Sequence, residues 1–115
     1  MNAKELTKII VNALEDKKAE DVKIIDITKV SVIADFFIIA SGNNRNQVQA
    51  LADNVEEFCG KAGQHVRQIE GYDSANWILM DYSDVIVHIF SKEDRLFYDL
   101  ERIWRDGESI EVNQL

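Results

Sequence analysis

The sequence predicts a mixed α/β fold, α+β in its connections, with a five-stranded mixed sheet flanked by helices in the order α β β α β β β α. Three observations carry that reading. Three stretches hold apolar residues at helical spacing. Five short runs rich in β-branched and aromatic residues lie between them, bounded by Gly, Ser, Asn and Asp. And 115 residues without a proline, a Gly/Ser-rich linker or an internal repeat fit one domain.

The first helix is predicted over residues 3–18, from Leu6, Ile9, Ile10, Ala13 and Leu14 on one face and Asn2 with Glu5 at capping-box spacing. Val22–Ile27 is a strand by its weak alternation and branched residues. The apolar block Phe36–Ala40, ended by Ser41 and Gly42, is a second strand, well buried. A long helix over residues 44–62 follows, with Val48, Leu51, Ala52, Val55, Phe58, Cys59 and Ala62 on its inner face, Asn43 or Asn44 at its start and Gly63 at its end. The second strand, this helix and the next strand suggest a right-handed parallel crossover. His65–Glu70, Trp77–Tyr82 and Val85–Phe90 read as three more strands, the last two a hairpin turning at Ser83. Ser91 with Asp94 opens a last helix whose stripe of Leu96, Phe97, Leu100, Ile103 and Trp104 runs up to Gly107. The domain is expected over residues 1–107, with 108–115 a loose tail.

Composition narrows the function. Thirteen basic against 21 acidic side chains give a net charge of −8, and residues 70–115 hold 11 of the acids against 4 bases. Phosphate backbones are gripped by Lys and Arg stripes, so direct nucleic-acid binding is disfavoured and a basic protein partner is favoured. The longest apolar run, Phe36–Ala40, is far too short to span a membrane. One cysteine, with no leader-like start, leads us to expect a reducing, cytoplasmic setting.

Candidate chemistry is sparse. Ser41 and Gly42 precede a helix N-terminus that could hold a phosphate with Arg45, but the spacing of phosphate-binding loops is missing and a plain tight turn is the simpler reading. Asp81, Asp84 and His88 gather near the hairpin, yet they straddle a turn and lack the convergent ligands a metal needs. They read as turn carboxylates and a structural histidine; no metal or other cofactor is expected. Cys59 lies on the apolar side of its helix, where a thiol packs as a small hydrophobe. The Trp77–Tyr82 strand differs: Trp77, Leu79 and Asp81 share one face, Ile78, Met80 and Tyr82 the other, and both are largely apolar. Such a strand either lies between layers or offers one face to a partner, and its Trp, Tyr and Met are favoured in protein interfaces.

Three blocks, ADFFIIASGNNRNQVQALAD (Ala34–Asp53), WILMDYSDVIVHIF (Trp77–Phe90) and RLFYDLERIW (Arg95–Trp104), together resemble the ribosomal silencing factor family, also called the iojap family, over residues 4–105. The resemblance implies a translational repressor, not an enzyme. It implies binding to the large ribosomal subunit through a basic ribosomal protein, the fourteenth of that subunit, so that the small subunit cannot join when nutrients are short. It also implies a core similar to nucleotidyltransferases, although the paired carboxylates that hold metal in those enzymes do not follow Ser41 and Gly42 here. By the same resemblance the ribosomal-protein contact falls on Trp77, Leu79, Met80, Asp81, Tyr82 and Asp84. The family pattern prefers Gly at position 83, so the turn forms here without that freedom or with Asp84 taking the unusual angles. A homodimer, pairing exposed sheet or helix surface, is a further expectation for partners.

Overall fold

Residues Phe36–Gly42 are buried at every position, and a strand with no wet face belongs in the middle of a sheet. The computed structural model, which describes residues 1–92, 108–111 and 115, places it there. The chain runs α1 (Ala3–Asp16), β1 (Glu20–Asp26), β2 (Phe36–Gly42), α2 (Arg45–Lys61), β3 (Gln68–Glu70), β4 (Trp77–Asp81), β5 (Val85–Ser91) and β6 (Glu108–Ile110). The sheet order is β3-β4-β5-β2-β1-β6. Among the described residues only the β2–β5 pairing is parallel; the other four are antiparallel.

The mixed α/β class holds, with three corrections to the detail. The sheet has six strands, because Glu108–Ile110, expected in a loose tail, pairs with the free edge of β1 through Ile24↔Ile110, Ile25↔Ser109 and Asp26↔Glu108. The parallel partner of β2 is β5, not the strand directly after α2. That next strand, β3, is three residues long with both ends exposed, whereas β5 is buried at six of its seven positions and is the one suited to the sheet centre. Finally, α1 stops at Asp16 because Lys18 takes a left-handed φ of 61°. The Lys18 and Ala19 N–H groups then close back on the carbonyls of Glu15 and Leu14 at 2.9 Å each. The expected last helix, from Ser91 to Gly107, falls almost wholly outside the described residues.

Local signals explain the rest. Asn2 Oδ1 accepts the Glu5 N–H at 2.8 Å, as the cap spacing predicts. Asn44 caps α2 by accepting the Gln47 N–H at 2.9 Å, while Gln47 Oε1 accepts the Asn43 N–H at 2.6 Å. Gly63, just past the end of α2, has a φ of 80°. The weak alternation of β1 has a cause: its register against β2 slips between Glu20 and Lys23, a bulge in which Asp21 takes a φ of 49°.

Both helices pack on one face of the sheet. Leu6, Ile10, Val11 and Leu14 of α1 and Val48, Leu51 and Val55 of α2 meet Ile24, Phe36, Ile38, Ala40, Ile78, Met80, Val85, Val87 and Ile89 there. The helices are also tied polar to polar: buried Asn54 donates to the Ala13 carbonyl at 2.8 Å and to Asp16 Oδ2 at 3.1 Å, satisfying the C-terminal end of α1. The opposite face carries a second, smaller cluster of Ile25, Ile27, Ala34, Phe37, Ile39 and Phe90, with Trp77 and Ile86 packed against it.

Candidate functional site

Strand parity divides the expected contact residues. Trp77, Leu79 and Asp81 project on the face away from the helices and are half-buried, and Asp84 at the hairpin tip is exposed. Met80 and Tyr82 point the other way into the helix-side core, Met80 wholly buried and Tyr82 nearly so. Neither can offer its side chain to a partner in this fold; they anchor the strand whose other face is presented. Tyr82 Oη lies beside the Cys59 thiol without a well-formed hydrogen bond, and burial raises the pKa of both groups. A buried thiol held away from its thiolate form is the small hydrophobe its helical position implies.

Trp77 is positioned from two sides. Its Nε1–H donates to His88 Nδ1 at 3.0 Å, and its ring stacks on Phe90 with centroids 5.2 Å apart. His88 in turn lies 4.7 Å from the Phe37 ring. It is 4% exposed, and burial alone pushes its pKa down to about 4. The imidazole is therefore neutral at pH 7; because Nδ1 accepts, the proton sits on Nε2, which finds no hydrogen-bond partner among the described residues. The sequence marks His88 as a structural histidine but does not name its partner. The β4–β5 register, which sets Leu79 opposite His88, puts it on Trp77's face.

The loop entering β4 is fixed from α2. Arg45 Nε donates to Asn76 Oδ1 at 2.8 Å, Gln49 Nε2 to the Tyr72 carbonyl at 2.9 Å, and Tyr72 Oη to Asp53 Oδ1 at 2.9 Å. The Asp53 carboxylate raises the Tyr72 pKa through that hydrogen bond. Gly71 starts the loop at a φ of 79°, and a Cβ there would stand 2.2 Å from the Trp77 carbonyl oxygen. Arg45 is thus a brace for this loop. Gly42 serves packing: a Cβ on it would meet Val48 Cγ2 at 3.0 Å, so its absence lets β2 approach the first turn of α2.

At the hairpin tip, the Asp84 N–H closes on the Tyr82 carbonyl at 3.0 Å around Ser83, whose φ is 72°. That three-residue turn is the strained γ form. Ser83 itself takes the unusual angle, not Asp84. Asp81 Oδ1 steadies it by accepting the Ser83 N–H at 2.7 Å. The Asp81, Asp84 and His88 trio does not converge, since Asp81 serves the turn and His88 serves Trp77. No group of three or more His, Cys, Asp or Glu side chains able to hold a metal exists among the described residues. No helix among them is long and apolar enough to cross a membrane.

Known proteins are similar to this chain in sequence and fold. The family model for the ribosomal silencing factor during starvation matches residues 1–115. The ribosomal silencing factor RsfS of Halalkalibacterium halodurans is 42% identical over 112 residues, covering 97% of this chain and 96% of that protein. The factor of the same name from Bacillus subtilis is 42% identical over 107 residues, covering 93% of this chain and 91% of its own. The chloroplastic protein Iojap of Arabidopsis thaliana is 31% identical over 111 residues, 96% of this chain and 44% of that longer protein. Among solved structures, a crystal structure of a Chromobacterium violaceum protein superposes with a TM-score of 0.89 at 34% identity, covering 96% of this chain and 92% of that one. One from Bacillus halodurans gives 0.84 at 40%, covering 93% and 97%. With whole-length matches at such identities and the same fold, the chain belongs to the ribosomal silencing factor family, a family of ribosome-associated translation regulators rather than enzymes.

Proposed function

We propose that this protein represses translation by binding the free large ribosomal subunit and blocking its association with the small one, chiefly under nutrient limitation. The docking partner is the basic fourteenth ribosomal protein of the large subunit, and the protein acts in the cytoplasm. The observation that carries the reading is the β4 row: Trp77, Leu79 and Asp81 on one partly open face, with Asp84 exposed at its end. An aromatic and an aliphatic side chain flanked by carboxylates suit a basic protein surface. The net charge of −8 repels the surrounding RNA, which favours one docking place over general adhesion. Steric exclusion needs no catalytic group. Met80 and Tyr82 support the row from beneath, and a homodimer is compatible with the helix faces left outward.

Sucrose-gradient sedimentation of purified subunits with added protein tests this. The protein is expected to travel with the large subunit while the joined-ribosome peak declines, and Trp77→Ala is expected to lose that migration with its circular dichroism unchanged. Protein that stays at the top of the gradient with the joined peak intact would overturn the proposal; unaltered migration of Trp77→Ala would remove the β4 row from it.

A further inference from the structure

The large hydrophobic side chains exposed among the described residues are Met1, Val30, Val32 and Ile33. Three of these four come from one segment, the loop between β1 and β2. Val32 is entirely open to solvent, Ile33 is 72% exposed and Val30 is 42% exposed. Apolar groups so placed in a floppy loop would mean little, but this loop is built. Asp26 Oδ1 accepts the Thr28 N–H at 2.9 Å and its hydroxyl at 2.6 Å. The Ile27 carbonyl accepts the N–H groups of Val30 at 3.1 Å and Ser31 at 2.9 Å. Ser31 Oγ accepts the Ile33 N–H at 3.0 Å, and the Ile27 N–H returns to the Asp35 carbonyl at 2.9 Å. Backbone bonds thus hold the aliphatic tips outward, which removes much of the ordering penalty that binding would otherwise carry.

The loop also adjoins the candidate contact strand. The Asp84 carbonyl accepts the N–H groups of Asp35 at 2.7 Å and Phe36 at 3.2 Å, joining the loop to the hairpin tip. The loop and the hairpin tip carry Asp26, Asp35 and Asp84, the last exposed and the other two half-buried, against one loop base, Lys29, whose charge reaches Asp26. With acids outnumbering bases there, an exposed apolar tip fits a protein surface with an apolar recess bordered by Lys and Arg better than it fits RNA or an anionic membrane.

We infer that Val32 and Ile33 form a second anchor for the basic ribosomal protein, extending the contact from β4 around the Ser83 turn into the β1–β2 loop. The inference rests on the proposed function and identifies a further part of the same surface. Burying one such side chain changes an affinity by roughly tenfold or more. The test is co-sedimentation of Val32→Ser/Ile33→Ser with purified large subunits across a concentration series, beside the wild type and the conservative Val32→Ile/Ile33→Val. The Ser variant is expected to bind at least tenfold more weakly, the conservative variant within about twofold of wild type. Both sites are exposed, so thermal melts should coincide. If the wild type itself fails to bind, the proposed function falls. If the wild type binds and the Ser variant binds equally, the loop anchor is overturned and the β4 contact stands. Loss of self-association by the Ser variant with subunit binding intact would likewise overturn it, assigning the loop to a second copy of this chain.

Discussion

His88 makes the stability of this protein depend on pH in a window where few other groups act. Burial lowers its pKa from the ordinary 6.5 to about 4. As pH falls, the unfolded chain takes up its imidazole proton near 6.5, while the folded chain refuses it until about 4. Throughout that interval the unfolded state binds more protons, so stability is full above the ordinary imidazole value, declines as pH drops through it and levels off below the folded value. The whole loss amounts to about 3 kcal/mol, a large part of what a domain of this size has. Asp26 acts elsewhere: the Thr28 hydroxyl bond holds its pKa below the ordinary 3.8, so its contribution is lost only in stronger acid. Urea unfolding followed by circular dichroism at steps from about pH 7.5 to 4.5, for wild type and His88→Gln, isolates the effect. The wild type should lose most of that energy between about pH 6.5 and 4.5 and the Gln variant little of it. Parallel loss in the two proteins would refute the reasoning, as would a His88 imidazole resonance, assigned by its absence from the Gln variant, titrating near the ordinary 6.5. When the folded protein does take up the proton, Nδ1 becomes a donor facing the Trp77 N–H, and the indole has to move.

Two backbone predictions follow from the loops around β4. Gly71→Ala forces a left-handed φ on Ala and places a Cβ 2.2 Å from the Trp77 carbonyl oxygen; it should cost about 2 to 4 kcal/mol and lower the urea midpoint accordingly, and a midpoint equal to wild type would contradict that clash. Ser83→Gly relieves the left-handed turn at the hairpin tip, offset by the larger entropy of unfolded glycine, for a net gain of about 0.5 to 1 kcal/mol. A calorimetric melting temperature that falls instead of rising would show that the Ser83 side chain supports the turn.

What could be read from the sequence followed how local its cause was. Helix α2 was legible to its cap because Asn44, the apolar stripe and Gly63 all act within a few residues of one another. The β4–β5 hairpin was legible for the same reason. The parallel pairing of β2 with β5 was not, since nothing in α2 says whether the chain returns beside β2 at once or only after building β3 and β4 outside it. The alternative was decided by burial, which made β5 a central strand and left β3 at the edge. Strand β6 was hidden because Glu108–Ile110 has no strong pattern and is ordered by the open edge of β1. In the candidate site, the face shared by Trp77, Leu79 and Asp81 came straight from period-two alternation. The same alternation places Met80 and Tyr82 on the opposite, helix-facing side of the strand, where both are buried. The His88–Trp77 bond needed the register between two strands, which only the folded hairpin supplies.

Among the described residues, the two outer strands of the sheet, β3 and β6, are each three residues long. A docking peptide that lengthened the sheet at either side would find only a few backbone groups to pair with, too short a ladder to hold it. Filament growth through stacked edges is discouraged for the same reason. Edges this short favour recognition written in side chains, where a single substitution can change the partner without disturbing the fold.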